Sequence, residues 1–256
     1  MSTHTRIFGL LGLILVGHSP AQAQEWFEAA VEKALLEVDP SAAVTSELEL
    51  VKPAWVVGDV PDTVWMLMET SVVTEDDDTM KEMLREAETH ARDAVVDNET
   101  NVGRRYALAA VLGMRADREG GLTKIRSASS LHDELEVVLE LDPDHAGASY
   151  LMGRLHAAVR RLGGVTRWLA TNLLGGAALK SASWEEAERH LAFAESRAPE
   201  VPDHHLQLAR VFLDTERPEL AEAELEHVIA MTPTSPMEHE ARAEALELQA
   251  EIARDP

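Results

Sequence analysis

Histidine pairs and acidic runs are the first places where this sequence could carry catalysis or bind a metal. His204 and His205 are adjacent, so on an α-helix their side chains point about 100° apart. That spacing is poor for a shared metal ion, and we interpret them as exposed histidines near a helix start. The acidic run 75–78 lacks the spaced oxygens and turn glycine of an EF-hand loop, and Asp78 is expected to cap a helix that begins near Thr79.

The other familiar signatures of catalysis are absent from the sequence. It contains no cysteine, no His-Glu-x-x-His motif and no Gly-x-Ser-x-Gly motif, and its glycine pairs are too sparse for a phosphate loop. We therefore predict no catalytic residue, no metal site and no cofactor. The protein is predicted not to be an enzyme.

A stretch of 40 residues between Asp144 and Glu185 contains no carboxylate. Its basic side chains are Arg154, Arg160, Arg161, Arg167 and Lys180. Trp168 lies beside Arg167, within the apolar segment 165–174. A cationic and apolar segment of this kind can hold an anionic ligand, a lipid headgroup or an acidic segment of a partner. The alternative is that its arginines pair with carboxylates of the same chain while its leucines cap the core.

A period of 34 residues indicates which elements position these side chains. Small, large, small and proline positions recur at this spacing, as in the second helix of a tetratricopeptide repeat. They are Ala187, Leu191, Ala194 and Pro199, then Ala221, Leu225, Val228 and Pro233, with earlier copies at Leu131, Leu135, Val138 and Pro143 and, more weakly, at Ala87, Ala91 and Ala94. The predicted fold class is an all-α, tetratricopeptide-like helical-repeat solenoid of about four helix pairs, closing on a C-terminal helix near 237–254.

Two of the predicted repeats are longer than the period allows. The spacing from Gly113 to Leu131 exceeds the expected value by six residues, and the spacing from Gly153 to Ala187 exceeds it by 22, which places a long insertion in the third pair. Insertions in repeat arrays usually form loops on one face. In such arrays the first helices line a concave groove, where Tyr150, Arg154 and Arg210 are candidates to bind an extended protein or peptide partner. Tyr150 is also well placed to pack between helices.

The third repeat and its insertion resemble the regulator of microtubule dynamics family. The resemblance rests on the segments 141–145 (LDPDH), 150–154 (YLMGR) and 183–187 (SWEEA), and it covers about residues 62–250. It implies a helical-repeat interaction module, and some animal relatives bind lipid. Animal members carry a Pro-Pro pair where this chain has Gly175-Gly176-Ala177-Ala178, so we interpret the chain as a bacterial, exported relative and do not carry microtubule binding over.

The N-terminus has the pattern of a secretory signal peptide. Arg6 precedes the apolar run 7–17, and Ala21-Gln22-Ala23 supplies a small-x-small cleavage site. We expect a signal peptide at 1–23, an N-terminal helix and linker at 24–61 and the repeat domain at 62–256. We therefore predict that the protein is exported, either to the periplasm or to the cell exterior, and that it is not transmembrane after cleavage.

The net charge of the chain limits which partners it can bind. A net charge of −23 argues against nucleic acid as a partner. The sequence predicts a non-catalytic scaffold for protein–protein interaction, whose candidate binding residues are Tyr150, Arg154, Arg160, Arg161, Arg167, Trp168 and Arg210. The alternative is a carrier or binder of a lipid or other apolar or anionic ligand at the inserted helix.

Overall fold

The computed structural model describes residues 52–173 and 177–254. The predicted signal peptide and the part of the predicted N-terminal helix that precedes residue 52 lie outside these residues. Within them the chain forms ten α-helices and one short 3-10 helix, with no β-strand. The α-helices are α1 Asp62–Val72, α2 Asp77–Asp97, α3 Val102–Arg118, α4 Gly121–Leu141, α5 Ala146–Arg161, α6 Gly164–Leu173, α7 Trp184–Arg197, α8 Pro202–Asp214, α9 Pro218–Ala230 and α10 Pro236–Ile252, and the 3-10 helix is Ala177–Ser181.

The helices pack as four pairs followed by a last helix, which confirms the predicted all-α helical-repeat solenoid. The pairs are α1 with α2, α3 with α4, α5 with α7, and α8 with α9. The small and large residues that carry the 34-residue period lie at the centre of these pairs, and Ala187, Leu191, Ala194, Ala221, Leu225 and Val228 are all completely buried. The C-terminal helix α10 packs on α9 and α8, near the range that the sequence predicted.

At Gly153 the two helices of the third pair approach each other closely. A Cβ atom added there would lie 2.7 Å from Leu191 Cγ and 2.9 Å from the Ala187 carbonyl oxygen. Helices α5 and α7 therefore approach so closely that only glycine fits at this position. Gly113, its counterpart in α3, is different, because an added Cβ would make ordinary contacts of 3.6 Å and 3.8 Å with Leu151 and Leu131.

The two predicted insertions have different structures. The first does not form a loop, which corrects the expectation above; α3 and α4 are instead longer, with 17 and 21 residues, and only Glu119 and Gly120 connect them. Gly121 begins α4 with a φ of +59°, a left-handed conformation that favours glycine in so tight a turn. The second insertion forms α6 and the 3-10 helix, which packs against α4 and α6. We call residues 162–183, between α5 and α7, the inserted segment.

One helix start differs from the prediction. Helix α2 begins at Asp77, and its cap is Asp76, whose carboxylate accepts a hydrogen bond from the Thr79 backbone amide at 2.8 Å. The predicted cap, Asp78, is instead a residue of the first turn. Any of the consecutive aspartates can accept such a bond, so the sequence located the helix start only to within two residues.

The first helices of the pairs form a closed ring with the last helix. Helix α1 contacts α3, α3 contacts α5, α5 contacts α8, α8 contacts α10, and α10 contacts α1 again. At the closing contact the buried Glu69 carboxylate of α1 accepts a hydrogen bond from the Met237 backbone amide at 3.0 Å. This amide lies in the first turn of α10, where unpaired N–H groups favour a carboxylate. The first helices that were predicted to line a concave groove thus form a closed series of contacts with α10.

Candidate functional site

The predicted groove residues Tyr150 and Arg154 contact each other and other residues of the chain. Both lie on α5, one turn apart, and the Arg154 guanidinium donates to the Tyr150 hydroxyl at 3.1 Å. Arg154 also forms an ion pair of 2.6 Å with Asp117 at the end of α3. The Tyr150 hydroxyl donates to Asp203 of α8, and the tyrosine is buried. The expected packing of Tyr150 between helices is confirmed.

Arg210 continues this network to the last helix. Its guanidinium pairs with the Glu244 carboxylate of α10 and donates to the Gln207 side-chain oxygen at 3.3 Å, and Gln207 in turn lies 3.5 Å from Asp203. Burial raises the pKa of Asp203 to about 6, although the nearby Arg210 charge acts in the opposite direction. We call this connected set the inner face, and its residues are Asp117, Tyr150, Arg154, Asp203, Gln207, Arg210 and Glu244.

His204 and His205 are both buried, so the prediction that they are exposed is wrong. The His204 ring packs on the Tyr150 ring with 5.0 Å between centroids, and burial lowers its pKa to about 4. The His205 ring points elsewhere, with Nδ1 2.7 Å from the Glu224 carboxylate. Two adjacent helical positions can both be buried here because α8 is packed on several sides, by α5, α7, α9 and α10.

Two arginines at the end of α5 flank a tryptophan at the start of α7. The guanidinium carbons of Arg160 and Arg161 each lie 6.0 Å from the centroid of the Trp184 ring, a distance at which a cation is attracted to the aromatic face. Arg161 also forms an ion pair of 2.6 Å with Asp214 of α8. The Nε atom of Arg160 is buried and has no hydrogen-bond partner among the described residues.

The remaining cations of the stretch lie on the inserted segment. Arg167 donates to the Arg160 carbonyl oxygen at 3.2 Å, and Trp168 beside it is 56% exposed, the most exposed tryptophan among the described residues. Lys180 is exposed on the 3-10 helix, which packs against α6. In the described part of the chain no carboxylate forms an ion pair with Arg160, Arg167 or Lys180. We call these three residues and Trp168 the cationic patch.

Three histidines that the sequence analysis did not single out lie beneath the inserted segment. His132 and His156 line a small cavity with Leu155 and Leu179, and the His190 ring stacks on His156 with 5.8 Å between centroids. The cavity, of about 10 Å³, has room for about one water molecule. Burial lowers the pKa of His156 and lowers that of His190 to about 4. These histidines come from three helices and no short spacing links them, so a search for local motifs misses them.

The structure thus separates the predicted binding residues into two groups. Tyr150, Arg154, Arg161 and Arg210 have acidic or hydroxyl partners within the chain, whereas Arg160, Arg167 and Trp168 lie in the cationic patch. The pairing with carboxylates of the same chain, which the sequence left open for the whole stretch, therefore holds for Arg154 and Arg161. As binding residues, all seven remain predictions.

Comparison with known proteins identifies the class of this helical-repeat protein. The family model of regulator of microtubule dynamics protein 1–3 matches residues 61–253, which includes every helix described above. The chain belongs to the regulator of microtubule dynamics family. No curated protein matches it. Of the helices that the structure describes, none combines the length and apolar character needed to cross a bilayer.

Proposed function

We propose that this protein is an exported, non-catalytic scaffold whose cationic patch binds an acidic segment of a partner protein. Membership of a family of helical interaction proteins supports the scaffold role. The signal-peptide pattern at 1–23 supports export to the periplasm or the cell exterior. The choice of surface rests on a single observation, which is that the cationic patch lacks carboxylate partners within the described chain while the inner face is internally paired.

Electrostatics and burial both favour the patch. The chain has a net charge of −23, so an acidic partner is repelled by most of the surface and attracted where Arg160, Arg167 and Lys180 are. Trp168 adds a large, half-exposed ring, and tryptophan and arginine are the residues most often found to dominate binding energy at interfaces. An acidic segment bound at this patch would form ion pairs with its cations and would also bury the Trp168 ring.

The ring of inner helices makes the groove a less favourable site for the same partner. A peptide that entered it would have to separate α1 from α10 and replace pairs such as Arg210–Glu244. Breaking buried or half-buried charge pairs leaves charges unpaired, which is costly. The predicted groove-bound partner therefore requires an opened ring, whereas Trp168 and Lys180 of the patch are already exposed.

Site-specific photo-crosslinking in the cells that make the protein tests this surface. A photoreactive amino acid at position 168 should capture a partner protein, while the same residue at position 220 should not, although Leu220 is exposed to a similar extent at 47%. The double change Arg167→Glu and Lys180→Glu, introduced together with the probe at 168, should reduce capture at least tenfold. Fractionation of the same cells should place the protein outside the cytoplasm.

Arg242→Glu provides a matched control for charge reversal. Arg242 is exposed like Lys180, and like Arg167 it donates to a helix-end carbonyl, that of Ile229 at 3.1 Å, but it lies on α10 outside the patch. Capture that survives Arg167→Glu and Lys180→Glu, or that is lost equally with Arg242→Glu, would exclude the patch as the binding surface. A captured lipid instead of a protein would favour the alternative role as a binder of an anionic or apolar ligand.

A further inference from the structure

Three side chains of metal-binding type meet between the last two paired helices. His205 lies on α8, and Glu224 and His227 lie one turn apart on α9. His205 Nδ1 is 2.7 Å from Glu224 Oε2, which is 3.9 Å from His227 Nδ1, and all three ligand atoms lie within 4.8 Å of one another. Neighbouring ligand atoms around a tetrahedral Zn²⁺ ion are about 3.3 Å apart. The three atoms therefore need to move by only about an ångström to share one ion.

The orientation of the His205 ring favours a metal at Nδ1. Its Nε2 atom lies 3.0 Å from the Pro199 carbonyl oxygen, which can only accept a hydrogen bond, so Nε2 carries the proton. Nδ1 therefore faces the Glu224 carboxylate at 2.7 Å, so either a proton or a metal ion lies at this nitrogen. A histidine whose second nitrogen donates to a backbone carbonyl is the usual geometry of a metal ligand.

The site also has suitable charge and exposure. Glu224 supplies a negative charge directly beside His205 Nδ1. His205 is 4% and Glu224 18% exposed, which restricts solvent on one side, while His227 is 64% exposed and leaves an entry path. Glutamate followed three residues later by histidine on a helix is a spacing at which both side chains project to one metal.

We propose that His205, Glu224 and His227 bind a Zn²⁺ ion that joins α8 to α9. The ligand set of two imidazoles and one carboxylate suits zinc, and a fourth position stays available for water or for a ligand from a partner. His204 takes no part, which agrees with the sequence argument that adjacent histidines do not share a metal. The residues that complete the site with His205 are Glu224 and His227, which lie on the next helix, α9. A search of the sequence for closely spaced histidines misses this arrangement. This site is independent of the cationic patch.

Calorimetric titration of the full chain with zinc chloride tests the proposal. One equivalent of Zn²⁺ should bind, and His227→Ala should weaken that binding at least tenfold. Because His227 is exposed, its removal leaves the helical fold intact, which circular dichroism verifies. Zinc should also raise the thermal midpoint of the unmodified protein but not that of the variant, since the ion binds only the folded state.

A second variant and a matched control make the result specific. Glu224→Gln should weaken zinc binding as His227→Ala does. His90→Ala should leave it unchanged. His90 is likewise an exposed histidine one turn from a glutamate, 3.7 Å from Glu86, but among the described residues no third ligand joins them. Zinc binding that is unaffected by His227→Ala would overturn the proposal, because the ion would then lie elsewhere, for example near His132. An unmodified protein that binds no zinc would overturn it equally.

Discussion

The inner face and the cationic patch contain the same residue types, arginine and large aromatic rings, in opposite environments. On the inner face Arg154 and Arg210 have carboxylates on neighbouring helices, and the Tyr150 ring is buried. In the cationic patch Arg160 and Arg167 have backbone or aromatic neighbours only, within the described residues, and Trp168 is half exposed. Arg154 of the inner face and Arg160 of the cationic patch even lie on the same helix, α5.

The comparison shows that the repeat geometry decides which charges are paired. Side chains on neighbouring first helices face one another, and one pair, Arg210 and Glu244, has the 34-residue spacing of the repeat. The inserted segment interrupts this spacing, so its side chains have no counterpart in the next repeat. Arg167 and Lys180 of the inserted segment have no carboxylate partner within the described residues, and this segment is where we expect a partner to bind.

The largest expected effect is on the helix pair that carries the inserted segment. Gly153→Ala would place its Cβ atom 2.7 Å from Leu191 Cγ and 2.9 Å from the Ala187 carbonyl oxygen, so α5 and α7 would have to separate. We expect a loss of about 3 kcal/mol or more in the free energy of unfolding, measured by chemical denaturation.

Gly113→Ala is the matched control in the pair without the long insertion. Its added methyl group has room, and alanine favours a helix over glycine by about 1 kcal/mol, so this change should be neutral or stabilising. If both substitutions had the same effect, the two pairs would not differ in packing as the structure describes.

Most of this packing could be predicted from the sequence, because close helix contacts require specific residues at a fixed period. Gly153, Leu191 and Leu225 occupied the predicted places. The first insertion was expected to be a loop because spacing counts residues but does not say whether they extend a helix. The ring closure through Glu69 joins residues 168 apart, and no local pattern encodes it.

An intermediate effect is expected on the inner face, through the pH dependence of stability. The pKa of Asp203 is about 6 in the folded protein, mainly because of burial, and about 3.8 in the unfolded chain. The folded state therefore binds this proton more tightly, so the contribution of Asp203 to stability falls as pH rises from about 4 to about 6. The loss is about 3 kcal/mol when it is complete, because the two pKa values differ by about two and a difference of one corresponds to about 1.36 kcal/mol.

Asp203→Asn keeps an oxygen that accepts from Tyr150 but removes the titration. As pH rises from about 4 to about 7, the unmodified protein should lose stability relative to the variant. Denaturation experiments at each pH should therefore show the unfolding free energy of the variant rising relative to that of the unmodified protein. Asp133→Asn, at an exposed carboxylate on α4, should show no comparable trend. A constant difference for Asp203→Asn across this range would mean that Asp203 is not buried as described.

The candidate sites were less predictable than the fold, because pairing depends on side chains from different helices. The sequence identified Arg154, Arg161 and Arg167 as one cationic group, but only the structure separates the first two, with Asp117 and Asp214 beside them, from the third. The burial of His205 likewise follows from the packing of α8 and not from its neighbours in sequence. Local patterns fix which face a residue occupies but not what lies opposite.

The smallest expected effect compares one arginine from each region. Arg210→Met removes the ion pair that joins α8 to α10 and should cost about 1 kcal/mol, because both partners are about one-third exposed and partly screened. Arg167→Met removes only a hydrogen bond to the Arg160 carbonyl and should change the unfolding free energy by less than about 0.5 kcal/mol. High salt should reduce the first loss and leave the second unchanged, since only the first involves paired charges. Equal losses in denaturation experiments at low salt would mean that Arg167 is held by the fold as firmly as Arg210. An arginine held in that way would not be free to meet a partner, so this small difference bears directly on where the scaffold binds.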